Sequence, residues 1–360
     1  MSFISYLDRE APRLMARDRL PGAAVALIEN ASPLAFKTWG YADESSQLAI
    51  RRDSLFNVAS ISKAVTSWGV MKLVDQGQIE LDQPVEAYLG EWRLPPSPYD
   101  HELVTARRLL SHMAGINTEG IKAVEPSAKH YSTIDVLEGR LPALDERQRQ
   151  YCLQWGIDPE HDRDPVAVKF PPGEAFHYSN LGFIVLQLLI ERVSGRAFAE
   201  FMQTEILNPL GMTAASFSPP DPSNPRLATA YGSDGSALPF YRHVALAAGA
   251  LHCSIEDLAR FACAELNGGE NVISQQGLAM LFERQCFAET LEGFDFDSAL
   301  GHYRLNVGDK TFVHHTGGVL GWRSVYGVIP QSGHGFCALI NSDGGNQFWI
   351  ELLQAWFESL

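Results

Sequence analysis

The sequence predicts an α+β fold: one antiparallel sheet assembled from both chain ends and flanked by helices, with a mainly helical unit inserted in the middle. Three observations lead there. Strand-like runs occur near the N-terminus and again from residue 299 onward; helix-period segments sit at the two extremities; and the stretch from about 80 to 260 reads as helices broken by Pro- and Gly-rich loops.

Residues 2–17 place Phe3, Leu7 and Leu14 at helical spacing until Pro21-Gly22 stops the pattern. Ala23 to Ile28 then reads as a buried strand, and Leu34 to Tyr41 pairs with it through a turn at Asn30 to Pro33. Ser60 to Gln76 is the strongest helix signal, with Val65, Trp68, Met71 and Val74 on one stripe and Gly77 past its end. The middle stretch is punctuated at Leu94 to Pro98, Pro171-Pro172-Gly173 and Pro219 to Pro225. Late strands are expected at Ala299 to Val307, Lys310 to His315, Trp322 to Ile329 and Gly335 to Asn341, followed by a helix over Gln347 to Leu360. The expected division is a sheet domain of residues 1–80 and 290–360 and a mainly helical domain of 81–289, with a cleft between them.

Composition narrows the function. Twenty-eight Lys plus Arg against 43 Asp plus Glu give a net charge of −15, which repels nucleic acid and anionic membranes. The N-terminal MSFISYLDREAPRL has no basic segment leading into an apolar run, and the most apolar stretch, Leu181 to Ile190, is too short to span a bilayer. A cytoplasmic protein is expected. The five cysteines, Cys152, Cys253, Cys263, Cys286 and Cys337, form no zinc-like spacing, so free thiols and no metal or other cofactor are expected. His314 and His315 are poor joint ligands because adjacent strand residues point to opposite faces.

Three short motifs carry chemistry. Ser60-Ile61-Ser62-Lys63 opens the strongest helix, where a spacing of three puts hydroxyl and amine on one face and burial pushes the lysine toward its neutral, basic form. Tyr178-Ser179-Asn180 follows the Pro-Pro-Gly turn; residues two apart in an extended turn face one way, giving a phenolic proton shuttle and a carboxamide. His315-Thr316-Gly317-Gly318 ends a strand, where small residues let a substrate backbone approach and a glycine N–H can face an oxyanion. Singly, these also read as a helix cap, a helix entry and a tight turn.

In order and together they resemble the serine β-lactamase and penicillin-binding-protein superfamily, in particular its branch related to class C β-lactamases, with esterases and D-aminopeptidases among its members. The resemblance runs along nearly the whole chain, through P-G-A-A-V-A-L, S-L-F-N-V-A-S-I-S-K, V-T-A-R-R-L-L-S-H-M-A-G-I, F-P-P-G-E-A-F-H-Y-S-N-L-G-F, N-P-L-G-M and H-T-G-G-V-L-G-W. It implies Ser60 as acylated nucleophile and Lys63 and Tyr178 as the acid/base pair. Asn180, His315, Thr316 and Gly317 would bind substrate, and the backbone N–H groups of Ser60 and Gly318 would form the oxyanion hole. His112 becomes a packing residue.

His315 stands where β-lactamases of this branch usually carry lysine, which argues against strong β-lactamase activity. Arg323 is expected either to replace that charge or to lie at the surface. The resemblance thus implies a serine hydrolase forming an acyl-enzyme on an ester, amide or peptide. An acyltransferase with the same intermediate, or a non-catalytic binder of β-lactams or peptides, are the alternatives. The segment from 145 to 168, with Tyr151 and Trp155, reads as extra length beside the cleft and is expected to act as a lid.

Overall fold

In strand β1 (Gly22–Glu29) all residues but the last are buried, and successive side chains enter different cores. Ala24, Ala26 and Ile28 pack on one face of the sheet; Ala23, Val25 and Leu27 pack on the other. A strand covered on both faces needs a continuous apolar run, and residues 23–28 supply it. The computed structural model describes residues 2–117, 122–154, 156–291 and 294–360.

β1 is joined through a hairpin to β2 (Ser32–Asp43), which carries the short β3 (Leu48–Ala49). The remaining strands come late: β4 (Cys286–Leu291), β5 (Phe294–Ser298), β6 (Tyr303–Val307), β7 (Lys310–Val319), β8 (Trp322–Ile329) and β9 (His334–Ile340). Their order across the sheet is β3-β2-β1-β9-β8-β7-β6-β5-β4, with every named pairing antiparallel. The chain ends meet at β1 and β9, where Ala23 lies opposite Ile340. This is the antiparallel sheet from both ends that the sequence predicts.

The sheet differs from the sequence reading in three details. The strand expected from Ala299 begins only at Tyr303, because residues 299–302 form a turn in which the Ala299 N–H donates to the His302 carbonyl. β7 runs on to Val319, because Thr316, Gly317 and Gly318 continue the ladder opposite Val325, Ser324 and Arg323. The β4–β5 hairpin was not expected. It extends the sheet beyond β6, and exposed Phe287, Glu289 and Thr290 dilute the apolar alternation that would reveal a strand.

Helices α1 (Phe3–Asp18) and, near the C-terminus, α7 (Asn346–Ser359) cover one face of the sheet. α2 (Ile61–Asp75) lies on the other, buried almost all round, and Gly77 ends it with a left-handed φ of 68° and an N–H bonded to Val74. Further along the chain come α3 (Glu146–Gln154), α4 (Asn180–Ser194), α5 (Ile255–Leu266) and α6 (Gln275–Phe282). α5 belongs to the sequence stretch 81–289, yet it packs across β1, β2, β8 and β9.

The stretch from 84 to 179 is less helical than its pattern suggests. Its helices are single turns, such as 106–110 and 133–137, and the nine-residue α3. The rest is loop stabilised by long-range pairs, including residues 123–124 with 242–243, while residues 56–57 pair with 252–253. None of the helices among the described residues is long and apolar enough to cross a membrane.

Candidate active site

Ser60 sits at the N-cap of α2, delivered there by a tight turn in which Ala59 takes a φ of 47°, a strained conformation for a non-glycine residue. Two contacts hold that turn. The Asn57 carboxamide oxygen accepts from the Ala59 N–H at 2.7 Å, and Ser324 Oγ donates to the Val58 carbonyl at 2.9 Å. The nucleophile candidate is thereby tied to the sheet.

One turn into α2, Lys63 is completely buried. Its Nζ lies 3.0 Å from Ser60 Oγ, 2.8 Å from Asn180 Oδ1 and 2.7 Å from the Ala248 carbonyl. The 245–251 segment that presents Ala248 is itself pinned to α2: Thr66 Oγ1 donates to the Ala247 carbonyl and the Leu251 N–H donates to Ser62 Oγ, both at 3.0 Å. Burial pushes the Lys63 ammonium well below its ordinary pKa. A neutral amine has two hydrogens and one lone pair. The two carbonyl-type oxygens take the hydrogens, so the lone pair is left for the Ser60 hydroxyl, the one neighbour of the three that has a proton to give.

On the other side of Ser60, the Tyr178 hydroxyl donates to Ser60 Oγ at 2.8 Å. Burial pushes its phenol well above the ordinary value, and its hydrogen bond to Ser60 only partly offsets this, so Tyr178 keeps its proton. Tyr178, Ser179 and Asn180 are set by the start of α4, where Ser179 Oγ accepts from the Gly182 N–H at 2.9 Å. The same hydroxyl donates to the Asn117 carbonyl at 2.7 Å.

His112 does more than fill space. Its Nδ1 accepts from the Ser179 N–H at 3.1 Å, and its ring lies against Tyr178 with centroids 4.4 Å apart. Accepting with Nδ1 requires that nitrogen to be unprotonated, and burial holds the ring neutral, well below the usual range for histidine.

The third motif forms the cleft wall along β7. A two-residue loop, Leu320-Gly321, closes on Val319 and Trp322, which makes that pair the hydrogen-bonded one of the hairpin. The next pair, Gly318 and Arg323, is then non-hydrogen-bonded, so the Gly318 N–H points away from β8 to the open edge beside Ser60. His315 and Thr316 line the cleft as well. Burial holds His315 neutral, and its Nδ1 lies 2.6 Å from the Thr316 carbonyl. It supplies no fixed positive charge.

Two expectations are corrected here. Gly317, expected on the substrate-binding edge, does not line the cleft; a Cβ at this position would run into the Val58 carbonyl oxygen and Ser324 Oγ. Arg323 is neither at the surface nor turned to the substrate. It is buried, pairs with Asp343 at 3.2 Å and donates to the Val319 and Trp322 carbonyls.

The cleft has a volume of about 920 Å³, and Ser60, Tyr178, Asn180 and Glu289 open onto it. Residues 145–168 border it through Tyr151, Ile157, Asp158 and Asp162, while Trp155 lies outside the described residues. Among the described residues no group of three His, Cys, Asp or Glu side chains is placed to hold a metal ion. His314 faces the far side of β7, stacked on Phe312 at 5.1 Å.

This fold and this site define a class. The beta-lactamase family model matches residues 7–359, and the chain belongs to that family. It is 29% identical to esterase EstB of Burkholderia gladioli over 241 residues, covering 66% of this chain and 57% of the esterase. Protein flp of Staphylococcus aureus is 23% identical over 222 residues, 62% of this chain and 40% of that protein. The chain thus matches about half the length of these relatives. Among solved structures, the octameric penicillin-binding protein homologue from Pyrococcus abyssi superposes with a TM-score of 0.75 at 26% identity, over 95% of this chain and 74% of that one. A penicillin-binding protein from Bacillus halodurans shares the fold, with a TM-score of 0.72 at 21% identity over 96% and 99% of the two chains.

Proposed function

We propose that this chain is a serine hydrolase that forms a covalent acyl-enzyme on Ser60 and acts on esters, with activated amides as further substrates. The observation that carries the reading is the position of Ser60 Oγ between Lys63 at 3.0 Å, which burial pushes toward its neutral form, and a protonated Tyr178 at 2.8 Å. Lys63 takes the Ser60 proton as Oγ bonds to the substrate carbonyl carbon, and the C=O electron pair moves onto oxygen. The N–H groups of Ser60 and Gly318 hold that oxyanion. The ammonium formed on Lys63 stays bonded to Asn180 and Ala248 and lies over the rings of Tyr178 and Phe183, at 4.9 and 5.6 Å.

Collapse of the intermediate expels the leaving group, which takes the Tyr178 proton, while Lys63 keeps the proton it took from Ser60. In the second half-reaction a water gives its proton to the Tyr178 oxygen as it attacks the acyl carbon, and Lys63 returns its proton to Ser60 Oγ as the acid departs, which restores both groups. The neutral His315 and the inward-turned Arg323 place no cation at the end of β7 beside Ser60, which favours esters over β-lactams. The esterase among the relatives supports the same choice.

Steady-state release of p-nitrophenol from p-nitrophenyl butanoate tests the reading. Ser60→Ala is expected to lose at least about 10³-fold in kcat. Undiminished turnover by that variant would rule it out.

The pH profile follows from the buried amine. Protonation of Lys63 fills the lone pair that takes the Ser60 proton, so kcat/KM is expected to fall as pH drops through the depressed Lys63 pKa and to level off above it. The limb should lie well below the ordinary lysine value of about 10.4. A limb at that ordinary value would assign the base elsewhere.

A further inference from the structure

Tyr178 reaches Ser60 from residues 176–179, which have no regular secondary structure, so the position of its phenol is set by contacts from elsewhere. His112 supplies them on both sides. Its carbonyl accepts from the His177 N–H at 2.7 Å, and its Nδ1 accepts from the Ser179 N–H at 3.1 Å. One residue thereby ties down the backbone immediately before and immediately after Tyr178. The two N–H groups can share a partner because alternate N–H groups of an extended segment point the same way, and Ser179 is extended at φ −140° and ψ 121°.

The His112 ring adds a further constraint. It lies against the Tyr178 ring with centroids 4.4 Å apart and is itself flanked by Phe176 and Phe183, at 5.5 and 5.3 Å. The backbone that presents it has a left-handed φ of 59°, a region that Asn, Asp and His occupy more readily than other residues with side chains. A residue that must also accept a hydrogen bond through its side chain at this point is confined to few types. His112 is buried and does not open onto the cleft, so its effect on catalysis passes through Tyr178 and its neighbours.

We propose that His112 is the positioning residue for proton delivery by Tyr178, and that it sets how far the enzyme reaches beyond activated esters toward alkyl esters. The assignment rests on the acyl-enzyme reading for Ser60. A proton donor must be aligned when the bond to the leaving group breaks, and a misplacement of about 1 Å can cost about 10²-fold. The need for it depends on the substrate. p-Nitrophenolate departs as a stable anion without a proton, whereas ethoxide is too basic to leave unless it is protonated. Alignment of Tyr178 by His112 therefore matters most for the poorest leaving groups.

Two esters with one acyl group, p-nitrophenyl butanoate and ethyl butanoate, separate alignment from general damage when compared by kcat/KM, which reports acylation. Tyr178→Phe removes the proton itself, and the ethyl ester is expected to lose at least about tenfold more than the p-nitrophenyl ester. His112→Phe keeps a flat ring but removes the acceptor, and should show the same selective loss of about tenfold. His112→Asn places a carboxamide oxygen near the position of Nδ1 and tolerates the left-handed backbone, so it should bring the ratio of the two esters back to within about threefold of the wild type. Equal losses on both esters in His112→Phe, or a selective loss that His112→Asn does not repair, would overturn the assignment. Folding is checked by Tm; should His112→Phe not fold, His112→Ala, which lacks the acceptor without the bulk, takes its place. Ring ¹⁵N NMR of the wild type, with His112 assigned by its absence from His112→Asn, gives an independent reading: a proton on Nε2 supports the bond to Ser179, and a proton on Nδ1 refutes it. Equal losses in Tyr178→Phe would take the acid role from Tyr178 and overturn the assignment while Ser60 acylation stands, whereas turnover retained by Ser60→Ala would remove the acyl-enzyme reading itself.

Discussion

Lys63→Met is expected to lower kcat/KM for an activated ester by about 10³ to 10⁴, at the upper end of what a positioned general base contributes. The side chains are similar in length and the site is already buried, so the variant removes the base while largely keeping the packing. Tyr178 cannot take over, because its phenol is held protonated and its proton points at Ser60 Oγ. The stability difference between the two proteins should also change with pH. In the unfolded chain Lys63 is protonated below about pH 10.4, whereas the folded protein buries it neutral, so wild-type folding releases a proton over that range. Raising pH from 7 toward that value should therefore stabilise the wild type relative to Lys63→Met, a trend that Tm measured across pH would show. A variant that keeps most of its activity, with no pH trend in the Tm difference, would place the base on another group.

Gly317→Ala is the second large effect, expected to cost about 10²- to 10³-fold in kcat and about 1–3 kcal/mol of stability. The added methyl would meet the Val58 carbonyl oxygen and Ser324 Oγ, the two partners of the bond that ties the nucleophile turn to the sheet. Backbone cannot yield cheaply here. Relief requires β7 to move away from residue 58, and this carries the Gly318 N–H away from the Ser60 N–H that would share the oxyanion. Gly318→Ala is the matched control: a Cβ there meets nothing nearer than the Arg323 guanidinium at 3.5 Å, and the N–H is retained. Comparable losses in both variants would show that the effect does not come from the Gly317 contact.

Much of this site was legible in the sequence because its chemistry depends on short local spacings. A helix places Lys63 above Ser60 whatever surrounds it, and the entry into α4 places Tyr178 and Asn180 on one side. The sheet was legible for a related reason, since β1 and most of β9 are buried on both faces and read as nearly continuous apolar runs. What the sequence hid depends on distant partners. Arg323 turns inward because Asp343 and two carbonyls await it, and nothing near residue 323 encodes those acceptors. His112 acts through Ser179, in another loop, and Gly317 packs against a residue on the far side of the chain. β4 and β5 escaped notice because an exposed edge hairpin carries little apolar periodicity.

The central claim, an acyl-enzyme on Ser60 raised by a neutral lysine, is tested most directly by intact mass after rapid acid quench of a reaction with p-nitrophenyl butanoate, followed by peptide mapping. The account requires the protein to gain the mass of one butanoyl group, located on the peptide containing Ser60 and absent from Ser60→Ala. Turnover with no adduct at any quench time, or an adduct mapped to a different residue, would contradict it.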